Sequence, residues 1–246
     1  MKRLQVLLAL ALLGLLAGCV PNPVDLVVDR AIDTGVEQAV YKVLPQNDLP
    51  FDDGFERYPV GSMLLREAPR DYRVWDEGEA KTAVYVVEAT GPEGRVEHAA
   101  AVEYPEVDEG RRHALTTGAD GWTNYRVEMV FKTRDNPWWA YTHINSRGRH
   151  ALVLKVHSRA AYLYKEVDGE RTLVARRDLS STYNDGAWHT LTAEVRPGAL
   201  TLSVDGEVLA DYQDAGPAFY GGGFGVQANW RGSRFVISRW SFAPLP

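Results

Sequence analysis

An antiparallel β-sandwich of two sheets is the fold this chain predicts from residue 51 onward, on three observations. Apolar residues recur there with a period of two, tight-turn pairs separate the alternating runs, and the aromatic content suits sheet. Tyr125, Val127, Met129 and Phe131 alternate with Arg126, Glu128 and Lys132. Leu152, Leu154 and Val156 alternate with Lys155 and His157, Leu200, Leu202 and Val204 with Thr201, Ser203 and Asp205, and Phe224, Val226 and Ala228 with Gly225, Gln227 and Asn229. A period of two sends one side of a strand into the core and the other outward. Asp168-Gly169, Pro197-Gly198 and Asp205-Gly206 fall between such runs and turn the chain back as hairpins. Short strands joined in this way pack as an all-β, two-sheet antiparallel sandwich. Seven Trp and twelve Tyr fit a pleated surface and also offer flat faces to ligands.

The start of the chain is of another kind. Lys2 and Arg3 precede an almost unbroken apolar run from Leu4 to Leu16, and small residues lead to Cys19, the only cysteine. A basic start, a short apolar core and small residues before a cut make residues 1–18 a signal peptide. The run is too short for a membrane span, which needs about 20 residues. Leu16-Ala17-Gly18-Cys19 resembles the bacterial lipobox, and the resemblance implies a lipid on the Cys19 thiol and cleavage just before it. The expected partner is therefore a membrane, reached through the lipid anchor, on the extracytoplasmic side of a bacterial cell envelope. Cleavage removes Lys2 and Arg3 and moves the formal charge from -6 to -8. A chain so acidic excludes nucleic acid as a partner on charge alone. With no cysteine left to pair, the core alone must hold the fold, and about 200 residues suffice for that.

Residues 19–50 read as a tether containing an amphipathic helix over residues 22–44. Asn22-Pro23 can cap and open it. Val24, Val27, Val28, Ala31, Gly35, Ala39 and Val43 recur three and four apart, while Asp25, Asp29, Asp33 and Glu37 mark another face. An acidic face does not suit anionic lipid, so the helix is expected to dock, pair or act as a spacer. No helix is expected after Leu44.

The segment Asp185–Asp211, DGAWHTLTAEVRPGALTLSVDGEVLAD, resembles the laminin G-like and broader concanavalin A-like jelly rolls. On that resemblance Trp188 caps one end of the core, Leu191, Ala193 and Val195 point inward, and Asp205-Gly206 makes a two-residue turn. Phe51–Glu56, FDDGFE, resembles the opening strand of bacterial members, with Phe235–Phe242 as the closing strand beside it. The resemblance implies residues 51–246 as one sandwich. It also implies a Ca²⁺ site between first and last strands, for which Asp52, Asp53 and Glu56 could supply oxygens. However, Ser238-Arg239 stands where related chains carry an Asp. No other cofactor is expected. The fold hosts lectins, glycosidases and adhesion modules, so function has to come from the site.

Glu166-Val167-Asp168-Gly169-Glu170 matches a spacing used by related glycosidases, whose paired carboxylates lie about 5 Å apart. The Asp168-Gly169 turn, though, should splay these three carboxylates into water. Glu103, Glu106, Asp108 and Glu109 read as a solvated loop or an acidic rim for Ca²⁺. The six His form no HxH or HExxH pair, and no Gly-x-Ser-x-Gly elbow occurs. Gly221-Gly222-Gly223 precedes a strand, not the helix N-terminus a phosphate site needs.

Strand parity picks out one candidate surface. It turns Trp139, Tyr141, His143 and Asn145 to one face, Lys155 and His157 to the same side of the next run, and Gln227 and Asn229 outward from theirs. Tyr162 and Tyr164 share a face of a neighbouring strand, and Arg126 and Glu128 turn outward from Val127 and Met129. Aromatic rings with amides and cations suit sugars, which stack C–H faces on rings and bond their hydroxyls. Three functions follow in order: a membrane-anchored module that binds a glycan without catalysis, an envelope protein-interaction or structural module, and a glycoside hydrolase.

Overall fold

The structure, a computed structural model, describes residues 48–68, 70–76, 83–103, 113–133, 138–144, 150–157, 159–168, 170–214, 221–228 and 234–246. Of residues 73–76, 83, 113, 143, 144 and 228 it describes the strand alone. The chain divides into two compact units, residues 1–44 and 45–246, and every described residue belongs to the second. Cys19 and the 22–44 helix lie outside the described residues, as do Asn145 and Asn229.

The strands in chain order are β1 (Phe51–Asp53), β2 (Arg73–Asp76), β3 (Ala83–Thr90), β4 (Val96–Glu103), β5 (His113–Thr117), β6 (Tyr125–Thr133), β7 (Trp138–Ile144), β8 (His150–His157), β9 (Ala160–Val167) and β10 (Glu170–Asp178). Then come β11 (His189–Arg196), β12 (Ala199–Val204), β13 (Glu207–Gln213), β14 (Gly223–Ala228) and β15 (Arg234–Pro244). A single helical turn, α1 (Leu64–Glu67), corrects the expectation of no helix after Leu44. It buries Leu64 and Leu65 in a connection that must cross between sheets.

Two antiparallel sheets face each other, as the alternation predicts. One runs β13–β12–β11–β6–β15–β4–β3, with β1 paired to β15; the other runs β10–β9–β8–β7–β14–β5–β2. All three tight turns are where the residue pairs put them. Asp168 has φ 52°, and Asp205 and Gly206 have φ 49° and 83°, the left-handed backbone a two-residue hairpin requires. The opening and closing strands pair as the resemblance implies, Phe51 with Phe242, Asp52 with Ser241 and Asp53 with Trp240. Gly221-Gly222-Gly223 serves close packing: a Cβ on Gly223 would lie 2.3 Å from the Thr117 carbonyl oxygen. A side chain there would force β14 away from β5.

Aromatic rings join the sheets. Trp138 of β7 lies 5.2 Å from Phe131 and 6.4 Å from Phe235, which stack on each other at 4.9 Å. Phe224 of β14 meets Trp240 of β15 edge-on. Leu191, Ala193 and Val195 face this core as expected. Trp188 does not cap it. That ring is half-buried at the surface, donating from Nε1 to the Thr90 carbonyl and lying 4.4 Å from the Lys132 ammonium. The neighbouring His189 is the buried member of the pair: its Nδ1 lies 2.7 Å from Asp205 Oδ2 and its Nε2 3.0 Å from Asp185 Oδ1. The Ala187 backbone N–H, and then His189, hold the Asp185 carboxyl below the ordinary range.

The expected calcium oxygens have other tasks. Asp53 is buried and accepts from the Phe55 backbone N–H, the Arg57 guanidinium and the hydroxyls of Tyr58 and Tyr72. Asp52 turns the other way and is gripped by Arg239 at 2.9 and 2.5 Å. Glu56 accepts from the His98 backbone N–H. These three carboxylates form no cluster and each is engaged elsewhere, Asp52 by a guanidinium, so the described residues here do not fit Ca²⁺. Among the described residues no cluster of three or more metal-ligating side chains occurs.

Adjacent aspartates should therefore differ sharply in worth. Asp53→Ala leaves two buried hydroxyls and an amide without an acceptor and should cost about 3 kcal/mol or more, whereas Asp52→Ala breaks an exposed pair worth less than about 1 kcal/mol. Urea unfolding checks both. Hydrogen bonds from Arg239 lower the Asp52 pKa below its ordinary 3.8. The contribution of that pair is thus complete above pH 3.8 and lost as pH falls through the lowered value. The stability gap between Asp52→Asn and the parent should close in acid below that point, read from urea midpoints across pH.

Candidate functional site

Because Trp138, Ala140 and Thr142 point into the core, Trp139 and Tyr141 must point to the outer face of the seven-stranded sheet. Registers extend this face across its neighbours. Gln227 pairs with Trp139, Trp139 with Lys155, Lys155 with Tyr162, and Tyr162 with Arg176. At about 4.8 Å between strands, these five residues form a row about 19 Å long. A second row beside it runs Tyr141, Val153, Tyr164 and Leu173. His157 lies exposed at the end of β8. Seven of the expected ligand residues, Trp139, Tyr141, Lys155, His157, Tyr162, Tyr164 and Gln227, thus share one face. The backbone of His143 lies in β7, while Asn145 and Asn229 fall outside the described residues.

Arg126 and Glu128 do not join them. Both turn outward as predicted, but β6 belongs to the eight-stranded sheet, so they face the opposite side of the sandwich. Alternation tells which face a residue takes within its own strand. It does not tell which sheet the strand enters.

The centre of the site is less open than parity suggests. Trp139 is 9% exposed and Tyr141 0%, with Ala114, Ala151 and Val153 closed around them as a small second cluster. Tyr141 donates its hydroxyl to Gln227 Oε1 at 2.5 Å, and its ring lies 6.1 Å from that of Trp139. The accessible part is the β8–β10 end: Lys155, Tyr162 and Tyr164 are half-buried, Arg176 is exposed, and Leu173 is 50% exposed.

Sequence reasoning missed the residues of β10. Arg171 donates to Glu166 Oε2 from Nε and a terminal nitrogen, at 2.9 and 2.5 Å. Its guanidinium carbon lies 4.9 Å from the Trp139 ring centre and 5.8 Å from that of Tyr164. Lys155 approaches the same indole at 5.5 Å. Glu166 is therefore not splayed into water by the turn, as expected, but buried at 1% exposure beneath Arg171. Asp168 and Glu170 do lie exposed in the hairpin. The signal for these contacts is arithmetic: a two-residue turn at 168–169 pairs Glu166 with Arg171 and Tyr164 with Leu173. A bulge between Leu173 and Ala175 then brings Arg176, not Ala175, beside Tyr162.

This arrangement can hold a flat, hydroxylated ligand. Tyr162 and Tyr164 offer rings, and Lys155, Arg176 and His157 surround them with polar groups. General acid–base hydrolysis needs two carboxylates flanking one bond. Among the described residues at the centre of this face only Glu166 is acidic, and Arg171 holds it.

Residues 142–228 match the family model of the laminin G domain, a stretch that takes in β8 to β13 and hence the accessible part of this face. A search of curated proteins finds no match. Among solved structures, the chain is similar to a glycoside hydrolase family 16 endo-glucanase from Bacteroides ovatus, with TM-score 0.53 and 9% identity over 78% of this chain and 99% of that one. It is similar also to a structure reported for endo-acting O-glycanases of the human gut microbiota, with TM-score 0.51 and 10% identity over 81% and 100%. A carbohydrate-binding module from Bacillus subtilis gives TM-score 0.46 and 12% identity over 68% and 91%. At such identities the first two support the concanavalin A-like jelly-roll fold and nothing narrower.

A buried ion pair of the Glu166–Arg171 kind makes a measurable claim. Arg171→Ala strands a buried carboxylate and should cost about 3–5 kcal/mol, while Glu166→Gln with Arg171→Met together should cost far less. Urea unfolding of the two variants decides it.

Proposed function

We propose that this protein is a non-catalytic glycan-binding module held at a bacterial membrane by a lipid on Cys19. The observation that carries the reading is the paired row Lys155–Tyr162–Arg176 beside Tyr164 and Leu173. Ring faces, an ammonium and a guanidinium lie there within two strand spacings on an accessible part of the sheet. Sugars bind weakly to isolated polar groups, because each hydroxyl exchanges one water bond for another. A ring beneath the C–H face adds what those bonds lack, and polar groups at its edge set orientation. The Glu166–Arg171 pair fixes the floor of the site instead of offering a free acid, which favours holding a sugar over cleaving it.

The signal peptide and the single cysteine supply the location: the domain would stand in the cell envelope, tethered by residues 19–50. The alternative, an envelope protein partner, draws on Leu173, whose half-exposed side chain beside Tyr164 suits a protein surface as well as a sugar.

Glycan microarrays with the full chain test the reading. Tyr162→Ala and Tyr164→Ala should each weaken binding about three- to tenfold, the loss of one ring contact. Binding that survives both substitutions unchanged, or no glycan retained, removes it. Metabolic labelling with a fatty acid tests the anchor, and Cys19→Ser should abolish incorporation.

A further inference from the structure

We propose that the glycan held at this face is acidic, carrying carboxylate or sulfate groups that lie between Lys155 and Arg176 while a sugar ring rests on Tyr162. This rests on the glycan-binding reading above and narrows it to a substrate class.

The first argument is the use made of Trp139. An open indole is a good sugar platform, but here Arg171 at 4.9 Å and Lys155 at 5.5 Å both approach its ring. The ring serves to position cations. Two cations beside one indole repel each other, and only Arg171 is matched, by Glu166. Among the described residues Lys155 makes no ion pair. An ammonium set beside another cation with no acid of its own is unexpected in a chain with 33 acidic and 27 basic residues. An anion arriving from solution would relieve the repulsion.

The second argument is spacing. Lys155, Tyr162 and Arg176 sit on adjacent rungs of β8, β9 and β10, so cation, phenol and cation follow one another over about 10 Å. The Arg176 guanidinium carbon lies 5.7 Å from the Tyr162 ring, and Asp178 is its exposed partner at 2.8 Å. That exposed pair is weak, so a ligand anion can compete for the guanidinium. A sugar on Tyr162 then has a cation on either side of its ring.

The net acidity of the chain does not oppose this. At physiological ionic strength the Debye length is about 8 Å, so acids on other parts of the domain are screened while Lys155 and Arg176 act directly.

Lys132 provides an internal control. Its ammonium lies 4.4 Å from Trp188, the same kind of contact, but on β6 of the other sheet. Titration calorimetry with the full chain would use oligogalacturonate, oligomannuronate and sulfated galactan, each beside its carboxyl-reduced or desulfated counterpart. At least one acidic member should bind at least tenfold tighter than its neutral partner, and the pair that responds separates carboxylate from sulfate. Lys155→Gln should remove that preference, and Lys132→Gln should leave it intact. Equal affinity within every pair overturns the inference while the glycan reading stands, as does a Lys132→Gln loss equal to that of Lys155→Gln. If neither these sugars nor an array of neutral glycans binds, both readings fall.

Discussion

The packing of Trp138 against the stacked pair Phe131 and Phe235 is the constraint on which the candidate site depends. One indole, packed against the stacked rings of the opposite sheet, fixes the parity of β7. Its neighbour Trp139 has no choice but the outer face, and Tyr141 follows two residues on. Registers with β8, β9, β10 and β14 then carry that choice sideways into a continuous surface. Slipping β7 by one residue would put Trp139 in the core and Trp138 outside, and the ordered row would vanish. Core packing and the layout of the candidate face are two consequences of one alternation.

Charge in this domain is largely committed to holding backbone elements in place. Asp53 satisfies two phenols and an amide under the first strand, Arg239 grips Asp52 across the β1–β15 pair, and His189 joins Asp205 of the β12–β13 turn to Asp185 ahead of β11. In each case an ion that could have served a ligand is spent on the fold. Lys155, with no ion pair among the described residues, and Arg176, held only by the exposed Asp178, differ from these at the accessible end of the seven-stranded sheet. That contrast, more than the number of aromatic residues, is what makes the place a candidate site.

Much of this was legible beforehand, for reasons that differ by residue. Alternation around Leu152, Leu200 and Phe224 reports burial directly, and Asp205-Gly206 reports a turn because few other pairs accept its backbone. Arg239 beside Ser238 already signalled that the calcium position was compromised. The sheet assignment of β6 was not legible, since long-range pairing leaves no local trace, and Arg126 and Glu128 were grouped on the wrong side for that reason. The Glu166–Arg171 pair was within reach of turn arithmetic, but an acidic triplet at a turn invites the assumption that all three carboxylates are solvated. The bulge that delivers Arg176 to Tyr162 has no Gly or Pro to announce it. Burial of Tyr141 depends on tertiary cover that no periodicity reveals.

The central claim is that ligand contact belongs to the outer face of the seven-stranded sheet, at its β8–β10 end. Backbone amide chemical-shift mapping of the full chain during titration with a bound oligosaccharide tests it most directly. The account predicts shifts concentrated on β8, β9 and β10 around Lys155, Tyr162, Tyr164 and Arg176. Shifts centred instead on Arg126, Glu128 and their neighbours in the eight-stranded sheet would contradict it.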